Sequence, residues 1–475
     1  MMWLLFGLAE VLSLAIGYML VALTWPDPAS ENQTIWCQGF LAIGVGLGVS
    51  SFTSLGVLVV SGSSHFEGLF ITEILLLAIL VSLHRFRQQS LQPSLQVPAP
   101  HPSSKLLFGL CVLAVSLAVG IFLLRSLENP HGESDAWTFW NLRARLFFRS
   151  GEHWRTVFSQ GNWSFPTYPQ LIPLHVVRVW TYLGRESVAG PIVVALLFTF
   201  ATLGVMVTGL RLLRGLTQGV LGGILLASTP YFLKHGAAQY ADVPLGLYLL
   251  ATFVLLCLQD RVSPPRYSLL ALIGICMGLA AWTKNEGLLF VVSVLLARGG
   301  VLLIVRAPRR RYRQEILRFV WGGLPIALLM AYFRIFLAPQ HGSASSPEIT
   351  HLWAMLTDFS RYVVTGKAFL RQLIEPYSLV YSTPIAVLVI YAVLLGLNRE
   401  HLRNAGVLTS LLALVGMYGG YFLVYITTPH DLTWHLNTSL SRLFLQLWPS
   451  TIFVAFMIIS TPAERRQQQR WNSKG

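Results

Sequence analysis

Apolar stretches of about 20 residues, each long enough to cross roughly 30 Å of hydrocarbon as a helix, recur from Met1 to Ser460 with no long hydrophilic interval. They predict spans at 2–24, 38–60, 69–85, 106–124, 189–210, 217–233, 240–259, 268–283, 287–305, 317–337, 379–396, 405–426 and 443–460. The segment 217–233 is short and glycine-rich, and is the weakest of the thirteen. The expected fold class is therefore all-α, a polytopic membrane bundle of about 13 transmembrane helices.

Basic residues collect in the short links between these runs, at Arg85/Arg87/Lys105, Arg211/Arg214, Arg261/Arg266, Arg306 to Arg318, Arg399/Arg403 and Arg465/Arg466/Arg470/Lys474. Cytoplasmic loops are enriched in Lys and Arg, so these links mark the cytoplasmic side. Thirteen crossings then put the C-terminus inside and the N-terminus outside. The first apolar stretch has no basic n-region and no clear cleavage site, so it is expected to stay as a membrane helix.

The stretch 86–105, rich in Gln, Ser and Pro, reads as a linker. It divides the chain into an N-terminal three-helix unit with its linker (1–100), a main membrane module (101–462) and a basic cytoplasmic tail (463–475). On this topology the loops 125–188, 234–239, 284–287, 338–378 and 427–442 share the non-cytoplasmic face. In the first of them, Ala136 to Arg149 and Tyr168 to Leu183, the latter with His175 and Arg178, read as helices lying in the interface.

Composition agrees with a membrane protein. Hydrophobic residues make up 54% and charged residues 11%, against roughly 25% charged in soluble proteins. The net charge of +14 follows from topology, since the basic residues form no single solvated face, and no nucleic-acid partner is expected. The four cysteines, Cys37, Cys111, Cys257 and Cys276, show no disulfide or metal-ligand spacing.

Polar residues that could carry chemistry fall in the loops of the non-cytoplasmic face. Asp135, in Glu133-Ser134-Asp135-Ala136-Trp137, reads either as a helix cap or as a general base among apolar rings. Asp242, after Tyr240, caps a span or faces a polar cavity, because an acid beside lipid is expensive. Lys284 and Glu286 form a local pair in a turn, of little worth if exposed, or meet a phosphate as a point charge and its orienting group. Arg442 snorkels to the interface or grips a phosphate bidentately. His430, Asp431 and His435 are too sparse a set to predict a metal. Neither a phosphate-cradling glycine loop nor a Gly-x-Ser-x-Gly elbow occurs.

Together these segments resemble the GT-C class of bacterial membrane glycosyltransferases, the superfamily of protein O-mannosyltransferases and aminoarabinose transferases. The resemblance rests on Asp135-Ala136-Trp137 with Trp140-Asn141-Leu142-Arg143-Ala144-Arg145, on Pro166-Thr167-Tyr168-Pro169-Gln170-Leu171-Ile172-Pro173, on Tyr240-Ala241-Asp242, on Lys284-Asn285-Glu286-Gly287, and on Thr438-Ser439-Leu440-Ser441-Arg442-Leu443. It covers about 106–460. Thr167 stands where the family usually has an acidic residue, which weakens a two-acid scheme.

The resemblance implies inverting transfer of a sugar from a polyprenyl-phosphate donor to an acceptor hydroxyl, on the extracytoplasmic side of the cell's inner (plasma) membrane. Asp135 would be the base and Lys284 and Arg442 the donor-phosphate contacts. Tyr168, Tyr240, Asp242 and Glu286 would shape the sugar pocket. Membrane lipid is the medium, and the acceptor is left open among lipid, glycan and protein. No cofactor is required, and a divalent cation is compatible but unnecessary. A transporter or flippase of a lipid-linked saccharide, and a glycan ligase, are the competing readings.

Overall fold

The structure is a computed structural model that describes residues 2–28, 31–87, 94–95, 105–158, 167–263, 268–338, 349–374 and 382–466. Most of the linker at 86–105, the residues 379–381 of one expected span and the end of the basic tail lie outside them. In chain order the helices are α1 (Met2–Thr24), α2 (Glu31–Ser61), α3 (Phe66–Arg87), α4 (Lys105–Glu128), a π-helical turn (Ala136–Trp140), α5 (Asn141–Arg149), a 3₁₀ segment (Gly151–Phe158), α6 (Leu171–Leu183), α7 (Ala189–Arg214), α8 (Leu216–Ala227), α9 (Pro230–Ala237) and α10 (Asp242–Gln259). They continue as α11 (Ser268–Thr283), α12 (Glu286–Ile304), α13 (Arg309–Tyr332), α14 (Ile349–Thr357), α15 (Phe359–Ile374), α16 (Ser382–Leu395), α17 (Arg399–Leu402), α18 (Ala405–Ile426) and α19 (Leu432–Ile458).

Each of the thirteen apolar runs is mostly helical where described, but not all are single straight spans. Among the described residues ten helices are long and apolar enough to cross a membrane, or eleven if α8 and α9 count as one broken crossing. The expected span 217–233 is that broken element. With 12 residues at 1.5 Å rise, α8 reaches only about 18 Å, and the chain bends by 66° into α9. Pro230 opens α9, where its missing N–H costs nothing. The Thr229 hydroxyl at the bend donates to the Leu225 carbonyl and accepts from Trp448 Nε1. Among the described residues three further apolar helices, α6, α11 and α16, are shorter than the ten.

α10 forms the axis of the bundle. It is buried along its whole length and packs on α7, α11, α18 and α19. Elsewhere glycines let backbones touch: a Cβ on Gly322 of α13 would lie 1.9 Å from the Ala271 carbonyl of α11, the small-residue contact that membrane helices use for close approach.

Polar connections gather at the two ends of the bundle. At one end Arg214 binds Glu464 and the Ile459 carbonyl and meets His401, Arg261 donates to the carbonyls of Leu212 and Leu213, and the Arg298–Glu315 pair joins Asp260 and Arg311. Three two-residue strands, Asp27–Pro28, Ser94–Leu95 and Val262–Ser263, pair with one another in the connections after α1, α3 and α10. The links after α3 and α10 are among those in which the sequence clusters its arginines, whereas the link after α1 carries none. The other end holds the site described below.

The three N-terminal helices adjoin the main body through α2, which packs on both α6 and α7. α6, expected to lie in the interface, is instead buried on every side, Leu171 through Tyr182 all being inaccessible. Its two polar residues explain why. Arg178 and His175 point to acidic partners on α3 and α1 rather than to water. By contrast α5 buries only Asn141, Arg143, Ala144 and Phe147.

Candidate functional site

At the end opposite the arginine-rich links, a cavity of about 880 Å³ opens. Its walls come from the loop before the π-helical turn, the segment before α6, the α9–α10 connection, the α11–α12 turn, α18 and the first turns of α19. Six of the seven residues singled out in the sequence, Asp135, Tyr168, Tyr240, Lys284, Glu286 and Arg442, line it. The seventh, Asp242, lies directly beneath.

Asp242 is the first residue of α10 and is fully buried. Its Oδ1 accepts from Lys284 Nζ at 2.9 Å and Gln446 Nε2 at 2.6 Å, and its Oδ2 from Arg442 Nε at 3.1 Å. A buried carboxylate is tolerable only when paired and hydrogen-bonded in this way. Because Asp242 opens α10 and Lys284 follows the last residue of α11, this ion pair also fixes α10 and α11 as antiparallel neighbours of matching depth.

Lys284 is buried too, and its Nζ lies 3.0 Å from Glu286 Oε1. Burial by itself would pull the ammonium down, but the carboxylates of Asp242 and Glu286 more than offset it and hold the group above its ordinary value. It is a fixed cation, not the exposed turn pair that the local spacing allowed. Gln446 reaches Glu286 Oε1 at 3.4 Å as well, and Tyr421 donates to Gln446 Oε1 at 2.6 Å.

Asp135 does not cap the helix it precedes, since its side chain makes no capping hydrogen bond. Instead Asp135 Oδ2 meets Arg442 Nη1 at 2.7 Å. Its side chain is 38% exposed to the cavity whereas that of Asp242 is 0% exposed, so only Asp135 has a face free for a ligand. Its backbone N–H donates to the Tyr240 hydroxyl, which also bonds Ser134 Oγ. The Arg442 guanidinium lies over the Tyr240 ring, 4.7 Å from its centre. Burial raises the Tyr240 phenol above its ordinary value, and burial together with the nearby Glu286 carboxylate pushes Tyr168 up to about 12. Both remain neutral hydroxyls at physiological pH.

Arg442 and Lys284, the expected phosphate contacts, are both engaged by carboxylates in this structure. Three carboxylates face these two cations, and each cation already holds two carboxylates. An anion entering here meets an Arg442 whose Nε and Nη1 are already held by carboxylates. Asp135, the exposed one, is the displaceable partner.

Two residues of the site, Gln446 and Gln239, escaped the sequence reading, and a third, Asn141, stood in a quoted motif without a role. Gln446 stands four residues after Arg442 on α19, hence on the same helix face, and an amide inside an apolar span was the signal for it. Gln239 adopts a left-handed backbone, φ +62°, and its side chain accepts from Asn141 Nδ2 at 2.7 Å and donates to the Pro130 carbonyl at 3.2 Å. Asn141 also donates to the His131 carbonyl. Gln239 and Asn141 thus clamp the Asp135 loop against the start of α10, and nothing in their local sequence announces it.

The opposite wall is aromatic: His430, Trp434, His435 and Tyr421 line it. Among the described residues no three His, Cys, Asp or Glu side chains group so as to hold a metal ion. Comparison with protein-family models, with curated proteins and with solved structures found no match to this chain.

Proposed function

We propose that the protein is an inverting glycosyltransferase of GT-C type that moves a sugar from a polyprenyl-phosphate donor to an acceptor hydroxyl. The observation that carries the reading is convergence: residues chosen from five separate segments meet around one cavity, with an exposed carboxylate beside fixed cations. The donor phosphate binds where Arg442 and Lys284 stand, at the depth of lipid headgroups. Arg442 turns from Asp135 to the phosphate, and Asp135 is left as a free base.

The acceptor hydroxyl then gives its proton to Asp135 as its oxygen bonds the anomeric carbon. The bond from that carbon to the phosphate oxygen breaks, and the polyprenyl phosphate leaves with the electron pair. One carboxylate on the acceptor side suffices for inversion. The charge growing on the phosphate is met by cations that need no reorganisation. Asp242, saturated and inaccessible, orients those cations and takes no proton. The site end faces the exterior, a reading supported by the arginine-rich links at the other end.

Purified protein in detergent, given a panel of polyprenyl-phosphate pentoses and hexoses, is expected to release polyprenyl phosphate, read by mass spectrometry, and to lose that release in Asp135→Asn. Absence of release with every donor, together with movement of intact lipid-linked sugar across liposomes, would assign the protein to transport instead.

A further inference from the structure

The three N-terminal helices have no part in the mechanism above, yet with α6 they enclose a buried charged cluster outside the site. Arg178 of α6 makes a two-pronged pair with Glu73 of α3, Nε to Oε1 at 2.5 Å and Nη2 to Oε2 at 2.7 Å. Arg178 Nη2 also donates to the Ala9 carbonyl of α1 at 2.6 Å. Glu73 accepts further from Tyr182 at 2.7 Å and from Thr53 of α2 at 2.9 Å. One turn away, His175 Nδ1 lies 3.0 Å from the Leu47 carbonyl of α2, and its Nε2 lies 3.5 Å from Glu10 of α1. Glu73, Arg178 and His175 are fully buried.

Stability alone does not account for such a cluster. A well-packed apolar interface of the same volume is often as stable as a buried ion pair or more so, and ionisable groups within membrane segments are kept for a task. What the cluster does supply is register: a bidentate fork admits one rotation and one height of α6 relative to α1, α2 and α3.

That register matters because α6 runs from this cluster to the cavity. The three residues before it begin with Tyr168, whose ring meets Phe139 at 5.3 Å and Trp140 at 6.2 Å, in the turn that Asp135 starts. Farther along, Trp180 of α6 meets Phe148 of α5 at 5.9 Å. A slip of α6 by one helical turn would displace Tyr168 by about 5.4 Å and carry the aromatic wall away from Asp135.

We propose that Glu73 and Arg178 are positioning residues of the transfer site, and that the N-terminal three-helix unit is the frame that sets its Tyr168 wall. This rests on the glycosyltransferase reading for its kinetic arm only.

The test is the set Glu73→Gln, Arg178→Gln, the double variant and Arg178→Lys. Each Gln single variant leaves a buried charge without its partner and is expected to melt lower. The double variant removes both charges and is expected to regain most of the lost melting temperature, while kcat stays at least tenfold below wild type with the donor KM unchanged. Arg178→Lys, which keeps the charge and loses the fork, is expected to fall between and serves alone if the double variant does not fold. Wild-type kcat in the double variant or in Arg178→Lys would overturn the proposal.

A second arm needs no turnover. Spin labels on cysteines at the exposed positions Thr138 and Lys367 should give one narrow distance distribution in the wild-type background and a broadened one in these variants. An unchanged distribution overturns the frame. If the wild type transfers no sugar but the labels respond, the enzyme reading fails and the frame stands.

Discussion

The Arg442 guanidinium meets the Asp135 carboxylate at 2.7 Å, so the group expected to take the acceptor proton and the group expected to grip the donor phosphate neutralise one another. Donor and base therefore compete for one cation. Asp135→Asn should abolish transfer, and it should also bind polyprenyl phosphate several-fold more tightly than wild type, since an exposed pair of this kind contributes up to about 1 kcal/mol and its loss frees Arg442. Titration of both proteins with the lipid phosphate checks this. Weaker binding by the variant would mean that the phosphate does not use Arg442.

Arg442 also spans two carboxylates at once, with Nη1 on Asp135 and Nε on Asp242, a geometry that a planar fork permits and an ammonium does not. Arg442→Lys is therefore expected to behave nearly as badly as Arg442→Ala, with kcat/KM for the donor down about a hundredfold in both, which corresponds to about 2.7 kcal/mol. Steady-state kinetics at varied donor concentration decides it. Near-wild-type activity in Arg442→Lys would show that charge without shape is enough.

How far the sequence discloses this arrangement depends on the range of each signal. Helices at Met2–Thr24 or Ala405–Ile426 are plain because twenty apolar residues in a row have one solution in lipid. The break between α8 and α9 was foreshadowed by the shortness of 217–233, but its 66° angle depends on Thr229 and Trp448, which lie far apart in the chain. Asp135, Asp242, Lys284, Glu286 and Arg442 were visible as charges where few occur. Their mutual pairing was not, because the sequence suggested only the local Lys284–Glu286 pair and missed the contacts across 42 and 200 positions. α6 misled for a related reason: Arg178 and His175 read as a water-facing stripe until Glu73 and Glu10, more than a hundred residues earlier, come to meet them.

Lys284 separates a binding role from a structural one. Removing it leaves Asp242 and Glu286 short of a buried cation, so Lys284→Met should cost about 3–5 kcal/mol and lower the melting temperature, beyond any loss of donor affinity. Because the ammonium is held above its ordinary value of 10.5, its stabilising contribution is complete below that pH and is lost only as pH rises through the folded value. The deficit of Lys284→Met against wild type should therefore stay constant from pH 6 to 9. A deficit that closes within that window would mean that the lysine is not charged in the folded protein.

Glu464 offers the opposite sign at the far end of the bundle. Burial pushes its carboxyl up, but hydrogen bonds from His401, Arg214 and the Thr461 N–H prevail and hold it well below the ordinary 4.5. A carboxyl depressed on folding adds stability above its unfolded value and loses it as pH falls through the folded one. Glu464→Gln should melt below wild type at pH 7, and the gap should narrow as pH drops under about 4.5. Melting curves from pH 8 to 3 test it, and a gap that widens toward acid would contradict the pairing.

Gln239 tests whether the loop clamp holds the site together. Its left-handed backbone, φ +62°, costs a non-glycine residue about 1–2 kcal/mol, while its amide ties Asn141 and Pro130 to the start of α10. Gln239→Ala keeps the strain and loses both bonds; Gln239→Gly loses the bonds but relieves the strain. The expected order of melting temperature is wild type, then Gly, then Ala, with Ala lower than Gly by about 1 kcal/mol. Both variants should also lower kcat, because the clamp sets the distance from the Asp135 loop to Asp242. If Gly melts above wild type and keeps full turnover, the two side-chain bonds contribute less than the strain, and the Asp135 loop is held from elsewhere.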